Sequence, residues 1–172
     1  MKFLIIGSCR NNDYEFRDNH YMRLAQEAGQ ELASRDHSII TGGAGGLQGI
    51  LVGTYKRCNG PEWTAYFAEG EEEDPNAWPI PRLSPDNSVM THLPYPKRNA
   101  DYTELCDGVL AFSGRLLSLG EMISASAYRK KIFQVKMGNN LDVIGKLSEL
   151  EKIFVSVNIK SGLDFLDGGK IK

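Results

Sequence analysis

The segment HSIITGGAGGLQGILVGTYKR, residues 37 to 57, holds a strand, a turn and a helix in that order. Its front is a short apolar run, its middle carries Gly42, Gly43, Gly45 and Gly46, and its back repeats Leu47, Ile50, Leu51 and Thr54 at helical spacing. A strand feeding directly into a helix is half of a parallel β-α-β unit. The glycines sit where the first N–H groups of the helix lack intrahelical partners and point outward, so an anion could approach the backbone there. The plain alternative is a tight turn that needs small residues. The spacing is not GxGxxG, and no acidic residue is placed to hold an adenosine ribose as in dinucleotide-binding domains.

The same alternation continues on either side. Phe3 to Ile6, closed by Gly7, reads as a strand, and Tyr21, Leu24, Ala25, Ala28 and Leu32 mark one face of a helix. WTAYFA (63 to 68), a short segment near Val89 to His92, GVLAF (108 to 112) and KIFQV (131 to 135) read as further strands. Helices are expected from about Arg98 to Cys106, from about Leu117 to Tyr128, and where Leu141, Ile144, Leu147 and Leu150 recur. Residues 69 to 86 combine an acidic run with four prolines and are expected to form a long surface loop. IFVSVNI adds a last strand, and SGLDFLDGGKIK is expected to be a loosely held end. With no repeat and no linker, residues 1 to 172 read as a single α/β domain with a mostly parallel central sheet.

Twenty Lys plus Arg against 22 Asp plus Glu leave a net charge of −2, which gives no global attraction to nucleic acid or anionic membrane; neither partner is expected. Cys9, Cys58 and Cys106 are odd in number and form no CxxC pair, which suits a reducing cytoplasm and argues against disulfides or zinc. The apolar run at the N-terminus is far short of the ~20 residues of a membrane span. His20, His37 and His92 are scattered, so neither a metal nor a cofactor is expected. Cys9 and Trp63 read as core residues, Trp78 as one that could stack on a base, and Asp101, Tyr102 and Glu104 as helix-surface candidates or partner contacts.

Three motifs carry a resemblance. FLIIGSCR, TGGAGGLQG, and RNADYTELCDGVLAFSGRLLSLGE from Arg98 to Glu121 together resemble the LOG (LONELY GUY) family and its wider SLOG superfamily, which includes molybdenum-cofactor carrier proteins. The third motif compares with an Arg-bearing helix followed by ADAFIALPGGxGTxxE. The resemblance covers about residues 1 to 137. It implies a Rossmann-like three-layer sandwich, a homodimer or larger assembly, and, in enzymatic members, hydrolysis of the N-glycosidic bond of a nucleoside 5′-monophosphate. Residue by residue it makes Arg98 and Glu121 the catalytic pair. Gly7, Ser8 and Cys9, then Gly42, Gly43, Gly45 and Gly46, then Ser113, Gly114, Arg115 and Ser118 would hold phosphate and sugar. Here the family's Pro is Ser113, its second Gly is Arg115 and its third Gly is Leu117, so the phosphate cradle differs while the paired side chains are kept. The same segment is similar to nucleoside 2-deoxyribosyltransferases, where the Glu is the nucleophile.

Breaking a ribose C–N bond builds positive charge on the sugar, so a carboxylate beneath C1′ favours the transition state over the ground state. Glu121 is placed for that, and is expected in a helix's first turn, where the macrodipole favours ionisation. Gly120 beside it would let a sugar sit close. Arg98 could hold that carboxylate or bind the phosphate bidentately. A changed cradle points as well to a binder without catalysis, a nucleotide sensor or a carrier of a phosphorylated cofactor. Leu105, Met122, Ile123, Ala125 and Ala127 are the residues expected to serve a second copy as well as the core.

Overall fold

The computed structural model describes residues 1–7, 19–43, 45–69, 84–112, 116–135 and 152–169. Its strands are β1 (Lys2–Ile6), β2 (Ser38–Thr41), β3 (Trp63–Phe67), β4 (Asn87–Met90), β5 (Gly108–Ala111), β6 (Lys131–Val135) and β7 (Ile153–Ser156). Its helices are α1 (Asn19–Ser34), α2 (Gly46–Arg57), α3 (Tyr95–Glu104), α4 (Leu116–Ala127) and α5 (Ile159–Leu166). The seven strands form one sheet in the order β4-β3-β2-β1-β5-β6-β7. Every pairing is parallel, with Phe3 opposite Ile39 on one side and Gly108 on the other.

Parallel strands need helical crossovers, and those helices cover both faces, which is why β1, β2, β5 and β6 read as continuous apolar runs. Alternate residues serve opposite cores. Phe3, Ile5, Ile39, Trp63, Leu110 and Phe133 pack under α1, α2 and α5. Leu4, Ile6, Ile40, Val109, Ala111 and Ile132 pack with Tyr102, Cys106, Met122 and Ala125 of the α3–α4 side. The five apolar positions expected on α1 are all buried. α2 is buried over most of its circumference, beyond the one face expected, because α1 closes over it.

The C-terminal end differs from expectation. Residues 159 to 166 form α5, docked through Ile159, Leu163, Phe165 and Leu166, and not a loose tail. Asn158 caps it, its side chain accepting from Ser161 N–H at 3.0 Å, which satisfies one of the orphan donors of the first turn. Arg35 donates to Asp164 (2.8 Å) and Asp167 (2.9 Å), tying the helix to the end of α1. The helix expected over Leu141 to Leu150 and residues 70–83 of the acidic loop lie outside the described residues. Among the described residues no helix is long and apolar enough to cross a membrane.

Candidate functional site

The chain runs outward from β1 to β4, then jumps back to β5 beside β1. In open parallel sheets ligands bind where the order reverses, outside the strands' C-terminal ends. Gly7 follows β1 there, Gly42 and Gly43 follow β2, and Phe112 follows β5, its N–H bonded to Ile6 O at 2.8 Å.

α3 brings polar groups to this edge. It starts after Pro94, with a proline in its first two positions, where a missing N–H does no harm. Arg98, Asn99, Tyr102 and Thr103 lie on its buried face. Arg98 is only 3 % exposed, and burying a guanidinium is costly unless its protons are bonded. Nη1 donates to Gly42 O (3.0 Å) and Tyr66 O (3.1 Å), while Nε (3.1 Å) and Nη2 (2.9 Å) donate to Asn99 Oδ1. Bidentate use of Arg98 on a phosphate would have to break some of these bonds.

The glycine turn is shaped around that guanidinium. A Cβ on Gly42 would stand 2.8 Å from Arg98 Nη1. Gly43 has φ 89°, which a side chain rarely tolerates, and its N–H reaches Thr41 Oγ1 at 3.3 Å. The Trp63 indole donates to the same oxygen at 2.9 Å, so this core tryptophan also braces the turn. Gly45 precedes α2 without a side-chain cap, and Gly46 opens it. Gln48 ties α2 to β1 through a 2.5 Å bond to Ile5 O.

Tyr102, read from the sequence as a helix-surface candidate, is fully buried. Its Oη lies 2.9 Å from Asn99 Oδ1 and in hydrogen-bond contact with Glu121 Oε1, and the Arg98 guanidinium stands 5.2 Å from its ring centre. Glu121 is half-buried. α4 begins at Leu116 with no acidic residue in its first turn, so Glu121 sits one turn further in, where the dipole has largely faded. Its carboxyl is accordingly raised, not lowered: burial pushes it up, against the Tyr102 hydrogen bond and the Arg98 charge. A Cβ on Gly120 would meet nothing within 4 Å, so the surface beside Glu121 is open.

The structure thus joins Arg98 to Glu121 through Asn99 and Tyr102, sets Gly42 against Arg98, and places Gly7 at the end of β1. Ser118 is buried in the first turn of α4. Ser8, Cys9, Ser113, Gly114 and Arg115 lie outside the described residues. Asn99 and Tyr102 were not singled out as site residues from the sequence. Their signal is the recurrence of 98, 99, 102, 103 and 106 at helical spacing, which reads as a face once polar residues are admitted to it. Gln134, opposite Ala111 on β6, is fully buried, and neither side-chain polar atom finds a partner among the described residues.

A family model described as the SLOG cluster4 family matches residues 1–162. The chain belongs to that family. The resemblance read from the three motifs therefore holds at the level of the superfamily. No curated protein matches the chain. Solved structures share the SLOG member's fold. The structural-genomics target TM1055 is 16% identical, with TM-score 0.78 over 97% of this chain and 98% of that one. A molybdenum cofactor binding protein from Rippkaea orientalis is 16% identical, with TM-score 0.75 over 97% and 95%. DNA processing protein A from Helicobacter pylori, whose structure concerns single-stranded DNA binding, is 20% identical, with TM-score 0.67 over 98% of this chain and 79% of that one.

Proposed function

We propose that this SLOG protein binds a nucleoside 5′-monophosphate or a nucleoside and hydrolyses, or transfers from, its N-glycosidic bond. The observation that carries the reading is the junction of Glu121 with Arg98, through Tyr102 and Asn99, beside the point where the strand order reverses. Glu121 faces the sugar from a partly dehydrated position, where its charge acts more strongly than in water. Arg98 fixes the glycine turn and the Asn99 amide. Residues 7 to 10, 42 to 46 and 113 to 118 are assigned to phosphate and sugar, with the start of α2, which has no side-chain cap, supplying N–H groups.

The test is base release. Purified protein is incubated with a panel of nucleoside 5′-monophosphates and nucleosides, with and without an acceptor base, and products are separated by chromatography. Release or exchange of base by wild type, abolished in Glu121→Gln, is the expected result. Affinity for the ligand should stay within roughly tenfold, because the lost interaction belongs mainly to the transition state. No release from any substrate by well-folded protein would sink the reading.

A second reading is a carrier of a phosphorylated cofactor. It is favoured by the likeness to the Rippkaea orientalis molybdenum cofactor binding protein and by Arg115 standing where the enzymatic pattern has glycine. It predicts a tightly held small molecule and no turnover in either wild type or Glu121→Gln. Nucleic acid was set aside on net charge alone; the shared fold of DNA processing protein A makes single-stranded DNA a fair addition to the binding panel. We place the protein in the cytoplasm because its three cysteines are odd in number and form no CxxC pair. We assign it a homodimeric contact through Leu105 and Ile123, large apolar residues exposed on the α3–α4 side. Met122 and Ala125, expected to serve a partner as well as the core, are buried in the chain's own core.

A further inference from the structure

Tyr102 follows Arg98 by four residues and Asn99 by three, so α3 carries all three on its buried face. The Tyr102 ring is fully buried in one core cluster with Leu4, Ile6, Val109 and Met122, and the Tyr66 ring stands edge-on to it at 6.1 Å between centres. The Arg98 guanidinium lies 5.2 Å from the ring centre, within cation–π range. A ring held on these sides does not swing, so its hydroxyl is a fixed point in the site. That hydroxyl donates to Glu121 Oε1. Asn99 Oδ1, 2.9 Å from the same hydroxyl, already takes protons from Arg98 Nε at 3.1 Å and Nη2 at 2.9 Å, so the phenolic proton goes to the anionic oxygen, the stronger acceptor.

We propose that Tyr102 is a positioning residue for Glu121: its hydroxyl fixes the carboxylate by Oε1 and leaves Oε2 to face the ligand, while Arg98 works from behind Tyr102 and not on the ligand. This deepens the proposed function and rests on its assignment of Glu121 to the ligand site. Arg98 Nη1 is turned to Gly42 O and Tyr66 O, so those protons serve the protein, and its effect on Glu121 is one of charge. Burial raises the carboxyl, and the Tyr102 bond and the Arg98 charge work against it, toward ionisation. The other charged residues of α3, Lys97, Asp101 and Glu104, are exposed, and α4 carries no second ionisable side chain. Beneath them β5 has none, and Lys131 of β6 bonds Phe165 O.

The consequence lies in timing. A free glutamate must give up its rotamer freedom when it meets a sugar, whereas one held by Oε1 is already in place. Its charge then needs no rearrangement as the sugar becomes positive, which favours the transition state over the ground state. Loss of the Tyr102 hydroxyl should therefore be felt in kcat more than in KM.

The test titrates protein labelled with carbon-13 at the glutamate carboxyl and the tyrosine ring carbon Cζ, followed by NMR without ligand, with Glu121→Gln and Tyr102→Phe assigning the two signals. In wild type the Tyr102 carbon should show a step at the Glu121 midpoint, and the step should vanish in Glu121→Gln. Tyr102→Phe fills the buried position without the hydroxyl, so the Glu121 midpoint should rise by roughly one unit, the loss of one hydrogen bond to a charged group. Tyr66→Phe keeps the edge-on ring and should leave the midpoint in place. A fall or an unchanged midpoint in Tyr102→Phe, an equal rise in Tyr66→Phe, or no step at the Tyr102 carbon overturns the proposal. The step is read with Tyr102 intact, so it decides the question even if Tyr102→Phe does not fold. In base release, Tyr102→Phe should lower kcat roughly tenfold with KM within about threefold, and the acid limb of its pH profile should move up with the midpoint; a raised KM with kcat unchanged overturns it as well. The titration contains no substrate, so failure of base release in wild type would defeat the functional reading while the titration still decides this one.

Discussion

Gly42→Ala probes whether the glycine turn exists to admit Arg98. An added Cβ would stand 2.8 Å from Nη1 and 3.1 Å from Cζ and Nη2, so one partner must move by roughly half an ångström to restore ordinary contact. The guanidinium is buried and its Nη1 is bonded to Gly42 O and Tyr66 O, so it cannot simply swing into solvent. Losing one hydrogen bond from a charged donor sets the gross cost at about 1.5–3 kcal/mol. Stiffening of the unfolded chain returns about 0.4–1 kcal/mol, leaving a net loss of about 0.5–2.5 kcal/mol. In an Arg98→Ala background the obstruction is gone, and the same change should be neutral or slightly stabilising. Urea denaturation of wild type, both single variants and the double variant gives the coupling directly. An equal cost of Gly42→Ala in both backgrounds would refute the argument.

Other expected outcomes follow from separate parts of the fold. A Cβ on Gly162 would overlap the fully buried Phe133 ring, so Gly162→Ala should lower stability by about 1–3 kcal/mol or more in urea melts; a neutral result would mean α5 is not docked as described. Trp63→Phe removes the indole bond to Thr41 Oγ1 and should cost about 1 kcal/mol, with faster amide exchange at Gly43 as its local signature. Burial holds His37 below its ordinary value of 6.5, although Asp167 Oδ1, 2.9 Å from Nε2, pulls it back up. The folded state therefore binds fewer protons than the unfolded chain. Stability should fall as pH drops from about 6.5 until the folded imidazole itself titrates, and His37→Gln should flatten that limb of a pH-stepped melt. Leu105→Glu with Ile123→Glu should convert a sedimenting dimer to a monomer with an unchanged circular dichroism spectrum; an unchanged sedimentation coefficient would exclude this contact.

The sheet and its helices were legible because their buried residues are apolar and periodic. Tyr21 to Leu32 on α1, and the run from Phe3 to Ile6, announce themselves in this way. α3 was placed late and its inner face misjudged for the opposite reason. Arg98, Asn99, Tyr102 and Thr103 are the residues it buries, so a search for hydrophobic spacing finds nothing and assigns Tyr102 to the surface. α5 was missed because its eight residues include a glycine and an aspartate and span barely two turns. Its cap at Asn158 and the spacing of Ile159, Leu163 and Leu166 were there to be read. The resemblance supplied Arg98 and Glu121, but only coordinates could show that Tyr102 and Asn99 stand between them. The helix start was read to within a residue, but the burial that raises the Glu121 carboxyl depends on how α3 and α4 pack and could not be read from the spacing.

The pairing of β1 with β5 bears on how the molecule comes into being. Lys2 N–H bonds the side chain of Asp107, 105 positions along the chain, whereas β1 meets β2 across the far shorter span from Lys2 to Ser38. The thermodynamic penalty for closing the longer loop is small, about 0.6 kcal/mol per doubling, but such distant pairings slow the search. On the ribosome, β1, β2 and the glycine turn can associate before α3, β5 and α4 have emerged, so the crevice between the two halves is made after its first wall has formed. A ligand that touches both the Gly42 turn and α4 would act as a clasp across this late seam. It would prolong the life of the folded chain by slowing its opening while leaving the speed of its assembly nearly untouched.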